Sequence, residues 1–172
     1  MCEEFVCKTV RDVHSSFGRI DYAVNVAGTI GKFLATEEVE FEEFRRVQGI
    51  NVDGVFLCER EELRCMLGQD EVAGYTFPSF PPFSSYSSFC FSFIDYWHNV
   101  ISARGSIVNV ASLLGSRGAA RSMPYVVSKH SIIGMTKSDA IAYASQGIRV
   151  NCVSPGFSIL PTFQSAFIFS GL

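Results

Sequence analysis

The chain has 172 residues, enough to bury one real core but small for two domains. Hydrophobic residues make up 48% and charged residues only 18%, and a formal charge of -3 without any Lys/Arg cluster leaves no footprint for nucleic acid. No run of 18 apolar residues reads as a membrane span, and Met1 to Phe5 lacks the basic and apolar regions of a signal peptide. Six cysteines at positions 2, 7, 58, 65, 90 and 152 show neither a CxxC pair nor metal-ligand spacing, so a reduced, cytoplasmic protein without a bound metal is expected.

From the N-terminus, Phe5, Val6, Val10, Val13, His14 and Phe17 recur at helical intervals and Gly18 offers a C-terminal cap, predicting a helix over residues 3–17. Ile20 to Val26 reads as a short apolar strand that runs into Asn25-Val26-Ala27-Gly28. This ending is either a plain turn or one that presents backbone groups to a ligand. Thr36 before Glu37 and Glu38 predicts a helix start, because a hydroxyl and an acidic first turn both answer exposed amides, and the amphipathic pattern continues to about Val47. A second helical stretch opens at Asn51, with Val55, Cys58, Leu63, Met66 and Leu67 as candidate core positions. Asn51 itself either caps locally or holds a water or a backbone carbonyl.

Residues 74–99 differ in character: ten of these 26 are aromatic, six are Ser, three are Pro and only Asp95 is charged. Pro78, Pro81 and Pro82 forbid a continuous helix or central strand, so an irregular inserted segment is expected, serving as a lid, a partner surface or neither.

Order returns at residues 106–111, where Ile107, Val108 and Val110 read as a buried strand, and Gly115 to Gly118 makes a turn. Pro124 to Ala144 is predicted as one long helix with Val127, Ile132, Ile133, Met135, Ile141 and Ala142 toward its apolar face, ending at Gly147. Ile148 to Val153 gives another strand, so strand, helix and strand imply a parallel crossover, and Ser154-Pro155-Gly156 lies where open sheets bind ligands. Tyr125 and Lys129, four apart, project from one helix face, and Ser112 stands just past a strand end. A hydroxyl, a phenol and an ammonium brought together in this way suit proton transfer to or from a carbonyl or alcohol oxygen. A bare Tyr-x-x-x-Lys is equally an ordinary surface helix pair.

Together these motifs resemble the short-chain dehydrogenase/reductase family, over roughly residues 3–67 and 105–160. The resemblance rests on Asn25-Val-Ala-Gly28, on Asn51 in Asn-Val-Asp-Gly-Val-Phe-Leu-Cys, on Ser112 after Ile-Val-Asn-Val-Ala, on Tyr125-Val-Val-Ser-Lys129 and on Ile148 through Gly156. It implies an α/β fold, a partial Rossmann-like three-layer αβα arrangement with a mostly parallel sheet, in a single domain over residues 1–172. It further implies hydride transfer between NAD or NADP and a small-molecule alcohol or carbonyl substrate. Tyr125 would be the general acid or base, Lys129 would hold the nicotinamide ribose and favour the phenolate, Ser112 would orient the substrate oxygen, and Asn51 would hold the water that links Lys129 to solvent. Asn25, Ala27 and Gly28 would approach the adenosine side of the cofactor, and Pro155 and Gly156 would border the nicotinamide. The helices over 51–67 and 124–144 would form a homo-oligomer interface.

The sequence also departs from the family pattern. It contains no Gly-x-Gly-x-x-Gly to receive a pyrophosphate, and Val26 replaces the second Asn of the usual Asn-Asn-Ala-Gly. The expectation is a truncated member lacking the first βαβ unit, with 74–99 inserted, a shortened C-terminus, exposed strand edges and weakened cofactor binding. The alternative to an oxidoreductase is a catalytically inactive fragment, at most a dimerising or binding subunit.

Overall fold

The structure, a computed structural model, describes residues 3–72 and 103–156. The aromatic segment 74–99, Cys2, Cys90 and the residues after Gly156 therefore lie outside the described residues. Helix α1 (Glu3–Phe17) leads to strand β1 (Tyr22–Asn25), followed by helices α2 (Phe41–Gln48) and α3 (Gly54–Gly68). Strand β2 (Gly105–Val110), helix α4 (Met123–Tyr143) and strand β3 (Ile148–Val153) complete the order.

The three strands form one parallel sheet in the order β1-β2-β3, with Ala23 opposite Ile107 opposite Val150, and Asn25 opposite Asn109 opposite Cys152. Because side chains alternate along a strand, these residues share a face. That face is the core: Leu63 and Met66 of α3 pack on Ile107, Ile148 and Val150, and Ala140 and Tyr143 of α4 close the cluster. A second cluster toward the C-terminal strand ends joins Val55 of α3, Ala111 and Ile132 of α4. Thus α3 and α4 cover the same side of the sheet. On the opposite side Tyr22, Val24 and Val153 remain exposed, and among the described residues β1 and β3 each pair only with β2.

Each helix end has a local cause. Gly18 closes α1 with a left-handed φ of 80° and donates its N–H to His14 O, and Gly147 at φ 75° turns the chain from α4 into β3. The helix predicted from Thr36 is broken. A single 3-10 turn at Thr36–Glu38, where Glu38 accepts from Ala35 N, is followed by extended Val39 and Glu40, and α2 begins only at Phe41. From α2 the chain continues into α3 through a π-helical turn at Gly49–Asp53, where the N–H of Gly54 reaches Gly49 O five residues back.

α1 has no buried residue, so ion pairs as well as packing hold it to α3. Arg11 donates to Glu61 Oε2 from Nε at 3.2 Å and Nη2 at 3.0 Å, and Arg60 reaches Glu3 at 2.7 Å. The expected apolar face of α4 is narrower than its composition suggests. Ile132 is fully buried, but Val127 and Ala142 are exposed and Ile141 is 75% exposed, because the sheet meets only one stripe of the helix. Cys7, Cys58 and Cys65 are free thiols.

Substituting Ile107→Ala at the centre of this core is expected to cost about 2–5 kcal/mol of unfolding free energy. Val24→Ala on the exposed side of the sheet should stay within about 0.5 kcal/mol. Urea denaturation of the two variants beside the parent chain checks the contrast.

Candidate active site

The sequence-predicted residues collect at one end of the sheet because parallel strands all point their C-termini the same way. Ala27 and Gly28 follow β1, Ser112 follows β2, and Pro155 and Gly156 follow β3. The loops after β2 and β3 stay side by side beyond the sheet, since Ala111 N donates to Val153 O at 2.8 Å and Leu113 N to Pro155 O at 2.9 Å. Ser112 is fully extended, with φ -169°, and its Oγ accepts from Leu114 N at 3.2 Å, capping the 3-10 turn at Leu113–Gly115.

α4 carries Tyr125 and Lys129 toward this end. Pro124 in its first turn suits a position whose N–H has no helical partner, and Gln48 Nε2 donates to Pro124 O at 2.8 Å, fixing α4 against α2. Lys129 is 4% exposed, and its Nζ donates to Val110 O at 2.8 Å, the last residue of β2. The same nitrogen lies 5.7 Å from the centroid of the Tyr125 ring, so the two side chains do face each other. Burial pushes the pKa of Lys129 below the usual lysine value.

Asn51 ties these parts together. Its Oδ1 accepts from Thr29 N at 2.7 Å, and its Nδ2 donates to Thr29 O and to Ser128 Oγ, each at 2.9 Å. Ser128 in turn donates to Tyr125 O at 2.7 Å. Of the alternatives for Asn51, holding a backbone carbonyl is the one the structure displays, and a local cap is not. A β-carbon built on Gly28 would sit 3.4 Å from Asn51 Oδ1 and 3.6 Å from Lys129 Nζ. Gly28, Asn51, Lys129 and Tyr125 therefore converge, with Ser112 two residues beyond the carbonyl that anchors Lys129.

Asn25 is placed differently from the rest. Its side chain points into the helix-covered face, where Nδ2 donates to Glu62 Oε2 and Asn109 Oδ1, both at 3.1 Å. Its amide donors are thus committed to the core. Two residues that sequence reasoning passed over also build the site. Ser128 positions Asn51, and its signal is a small polar residue fully buried in the stripe between Tyr125 and Lys129. Gly115 is the other: an added Cβ would lie 2.7 Å from both Lys129 O and Ile133 Cδ1, so only glycine lets the turn after Ser112 rest on α4.

Among the described residues no group of His, Cys, Asp and Glu could hold a metal ion, and no helix is long and apolar enough to cross a membrane. The donor set suits a ribose hydroxyl pair. Lys129 Nζ uses one of its three N–H groups on Val110 O, and residue 28 beside it lacks a side chain.

A family profile described as enoyl-(acyl carrier protein) reductase matches residues 2–77 and 83–166. The short-chain dehydrogenase fogB of Aspergillus ruber is 36% identical over 167 residues, covering 95% of this chain and 54% of its own length. A cyclohexanol dehydrogenase from Acinetobacter is 31% identical over 147 residues, covering 86% and 45%. Among solved structures, ElxO with NADP bound has a TM-score of 0.71 at 27% identity, covering 95% of this chain and 52% of its own. NAD+-bound xylitol dehydrogenase has a TM-score of 0.69 at 32% identity, covering 91% and 47%. The chain belongs to the short-chain dehydrogenase/reductase family, and its parallel sheet is part of that family's Rossmann fold. It spans about half the length of the relatives it matches.

Two substitutions probe the framework of this site. Asn51→Ala removes the side-chain partner of both backbone groups of Thr29 and the donor to Ser128 Oγ, and is expected to lower stability by about 1–3 kcal/mol. Gly115→Ala, which forces a methyl against the Lys129 carbonyl, should cost about the same. Thermal unfolding followed by circular dichroism gives both values.

Proposed function

We propose that this chain carries the proton-transfer side of an NAD(P)-dependent oxidoreductase acting on a small-molecule alcohol or carbonyl, in a cytoplasmic setting. The observation that supports it most directly is Lys129. It is a nearly buried ammonium that faces the Tyr125 ring, is held by one carbonyl and stands beside the open position at Gly28. Two relatives with a bound nicotinamide cofactor share the fold.

The nicotinamide, when bound, supplies or accepts the hydride. Tyr125 donates its phenolic proton to the carbonyl oxygen during reduction and takes a proton from the alcohol as a phenolate during oxidation. Ser112 Oγ donates to the same substrate oxygen. Lys129 holds the ribose with its remaining N–H groups, while Gly28, Pro155 and Gly156 border the cofactor. Asn51 keeps both amide hydrogens in structural bonds, so a relay water would sit on its Oδ1, which lies with Lys129 Nζ beside Gly28.

A second reading, a dimerising subunit without activity, is favoured by the outward faces of α3 and α4, where Phe56, Val127 and Ile141 are exposed. Sedimentation of the parent and of a Phe56→Glu, Ile141→Glu variant separates a dimer built on these helices from a monomer.

Titration of the folded chain with NADH and NADPH, followed by nicotinamide fluorescence, tests the oxidoreductase reading. Saturable binding is expected, with Tyr125→Phe keeping that binding and losing about 10²–10⁴-fold in turnover. A well-folded chain that binds neither nucleotide overturns this reading in favour of the second.

A further inference from the structure

Helix α3 buries two glutamates to the same degree, and the structure treats them in opposite ways. Glu59 and Glu61 are each 1% exposed. Glu61 accepts from Arg11, Arg60 and Arg64. Burial alone would raise its pKa, but its partners Cys7, Arg11 and Arg64 bring it below the ordinary carboxylate value. Glu59 pairs with no cation among the described residues.

The surroundings of Glu59 are short of donors. Asn109, in the middle of the sheet, gives one amide hydrogen to Glu59 Oε2 and the other to Thr136 Oγ1, both at 3.0 Å. Asn25 gives its two to Glu62 Oε2 and Asn109 Oδ1. Thr136 donates to Ile132 O at 2.8 Å. Every side-chain N–H and O–H in the cluster is committed, each carboxyl receives one, and Glu59 Oε1 is buried with no partner among the described residues. The charged groups that face Glu59 are acids: Glu62 on its own helix and Asp139 from α4. The neighbouring thiol, Cys58, is itself pushed up by burial and by Glu62. β1 and β2 contribute Asn25 and Asn109, amides that do not titrate.

We infer that Glu59 is a buried proton-binding site, neutral when the junction of β1, β2, α3 and α4 is tight, and that loss of its proton weakens this junction. An ionised carboxylate with one donor and no counter-ion costs far more to bury than a neutral carboxylic acid. The direction agrees: burial raises the pKa of Glu59 from 4.5 to about 7, with Asp139 and Glu62 adding to the rise and the Asn109 hydrogen bond opposing it. Because the folded-state value lies above the unfolded one, the stabilisation is complete below about 4.5 and is lost as pH rises through about 7. The effect reaches the candidate site through Asn25, which leads directly into the Val26-Ala27-Gly28 loop, but it does not depend on the chain being an enzyme.

Denaturant unfolding of the full chain between pH 5 and 9 tests this, comparing the parent with Glu59→Gln, a neutral isostere. For the parent, the unfolding equilibrium constant should rise on the order of a hundredfold across that interval. Glu59→Gln should flatten most of the rise, and adding Glu62→Gln should remove much of the remainder. Carboxyl ¹³C titration of the native parent chain gives an independent reading, with the Glu59 signal expected to move near pH 7. An unchanged profile in Glu59→Gln, or a native Glu59 that titrates near 4.5, overturns the proposal. If Glu59→Gln does not fold, the carboxyl titration of the parent decides alone.

Discussion

Everything at the candidate site depends on one amide side chain reaching two other parts of the fold. Asn51 lies in a π-helical turn, where the wider backbone ring displaces its side chain from the position a continuous α-helix would give it. From there it bonds both backbone groups of Thr29, in the loop after β1, and the hydroxyl of Ser128 on α4. A loop that would otherwise be free to drift is thereby set against the helix that carries Tyr125 and Lys129. The turn thereby gives long-range order, the pattern expected where a site must be preorganised.

Helix α3 shows how polar groups are buried on different terms within one turn. Glu61 faces α1, a helix with no buried residues of its own, and the guanidinium of Arg11 that reaches it also fastens that helix to the fold. Glu59 faces the sheet, where the partners are amides from neighbouring strands. An ion pair tolerates charge on the carboxylate, whereas a single amide N–H does not. The chain of amides and acids from Glu62 through Asn25 and Asn109 to Glu59 also fixes the register of β1 against β2, since a one-residue slip would turn both asparagines to the opposite face.

Much of this could be read from the sequence where a period or a terminal residue decides the outcome. The helix at 3–17 with its Gly18 cap, the strands at 106–111 and 148–153 and the long helix after Pro124 follow from spacing and caps, to within a residue or two. The facing of Tyr125 and Lys129 was legible from their helical spacing, whereas Asn51 was placed beside Lys129 by the family resemblance and the closeness of Gly28 to both appears only in the fold. What escaped is tertiary. Nothing local announces that Glu59, Glu61 and Glu62 go inside, since a helix window rich in Glu and Arg reads as a solvated face. Nor does spacing show that Ile141 points outward or that Glu38 ends the helix expected from Thr36. The role of Asn25 illustrates the same limit, because a strand-end Asn before Ala-Gly suggests a ligand contact, while its amide hydrogens are taken by the core.

The distribution of these residues separates two tasks that a dinucleotide-dependent site must combine. Proton transfer needs a phenol, an ammonium and a hydroxyl held at one point, and all of these stand on β2, α4 and the turns that join them to β3. Lys129 to Val110 and Leu113 to Pro155 are bonds internal to that unit, and Asn51, from the turn before α3, adds a bond to Ser128. Holding a pyrophosphate needs backbone N–H groups at a glycine-rich turn opening a helix, and the sequence contains no such turn. The geometry of the first task does not draw on the second, because among the described residues the core beneath it, Leu63, Met66, Ile107, Ile148 and Val150, is closed by α3, α4 and the β1 side of the sheet. Proton-transfer geometry can therefore be set by the packing of three strands and two helices, and the affinity for a dinucleotide is a separate property of whatever surface meets its phosphates.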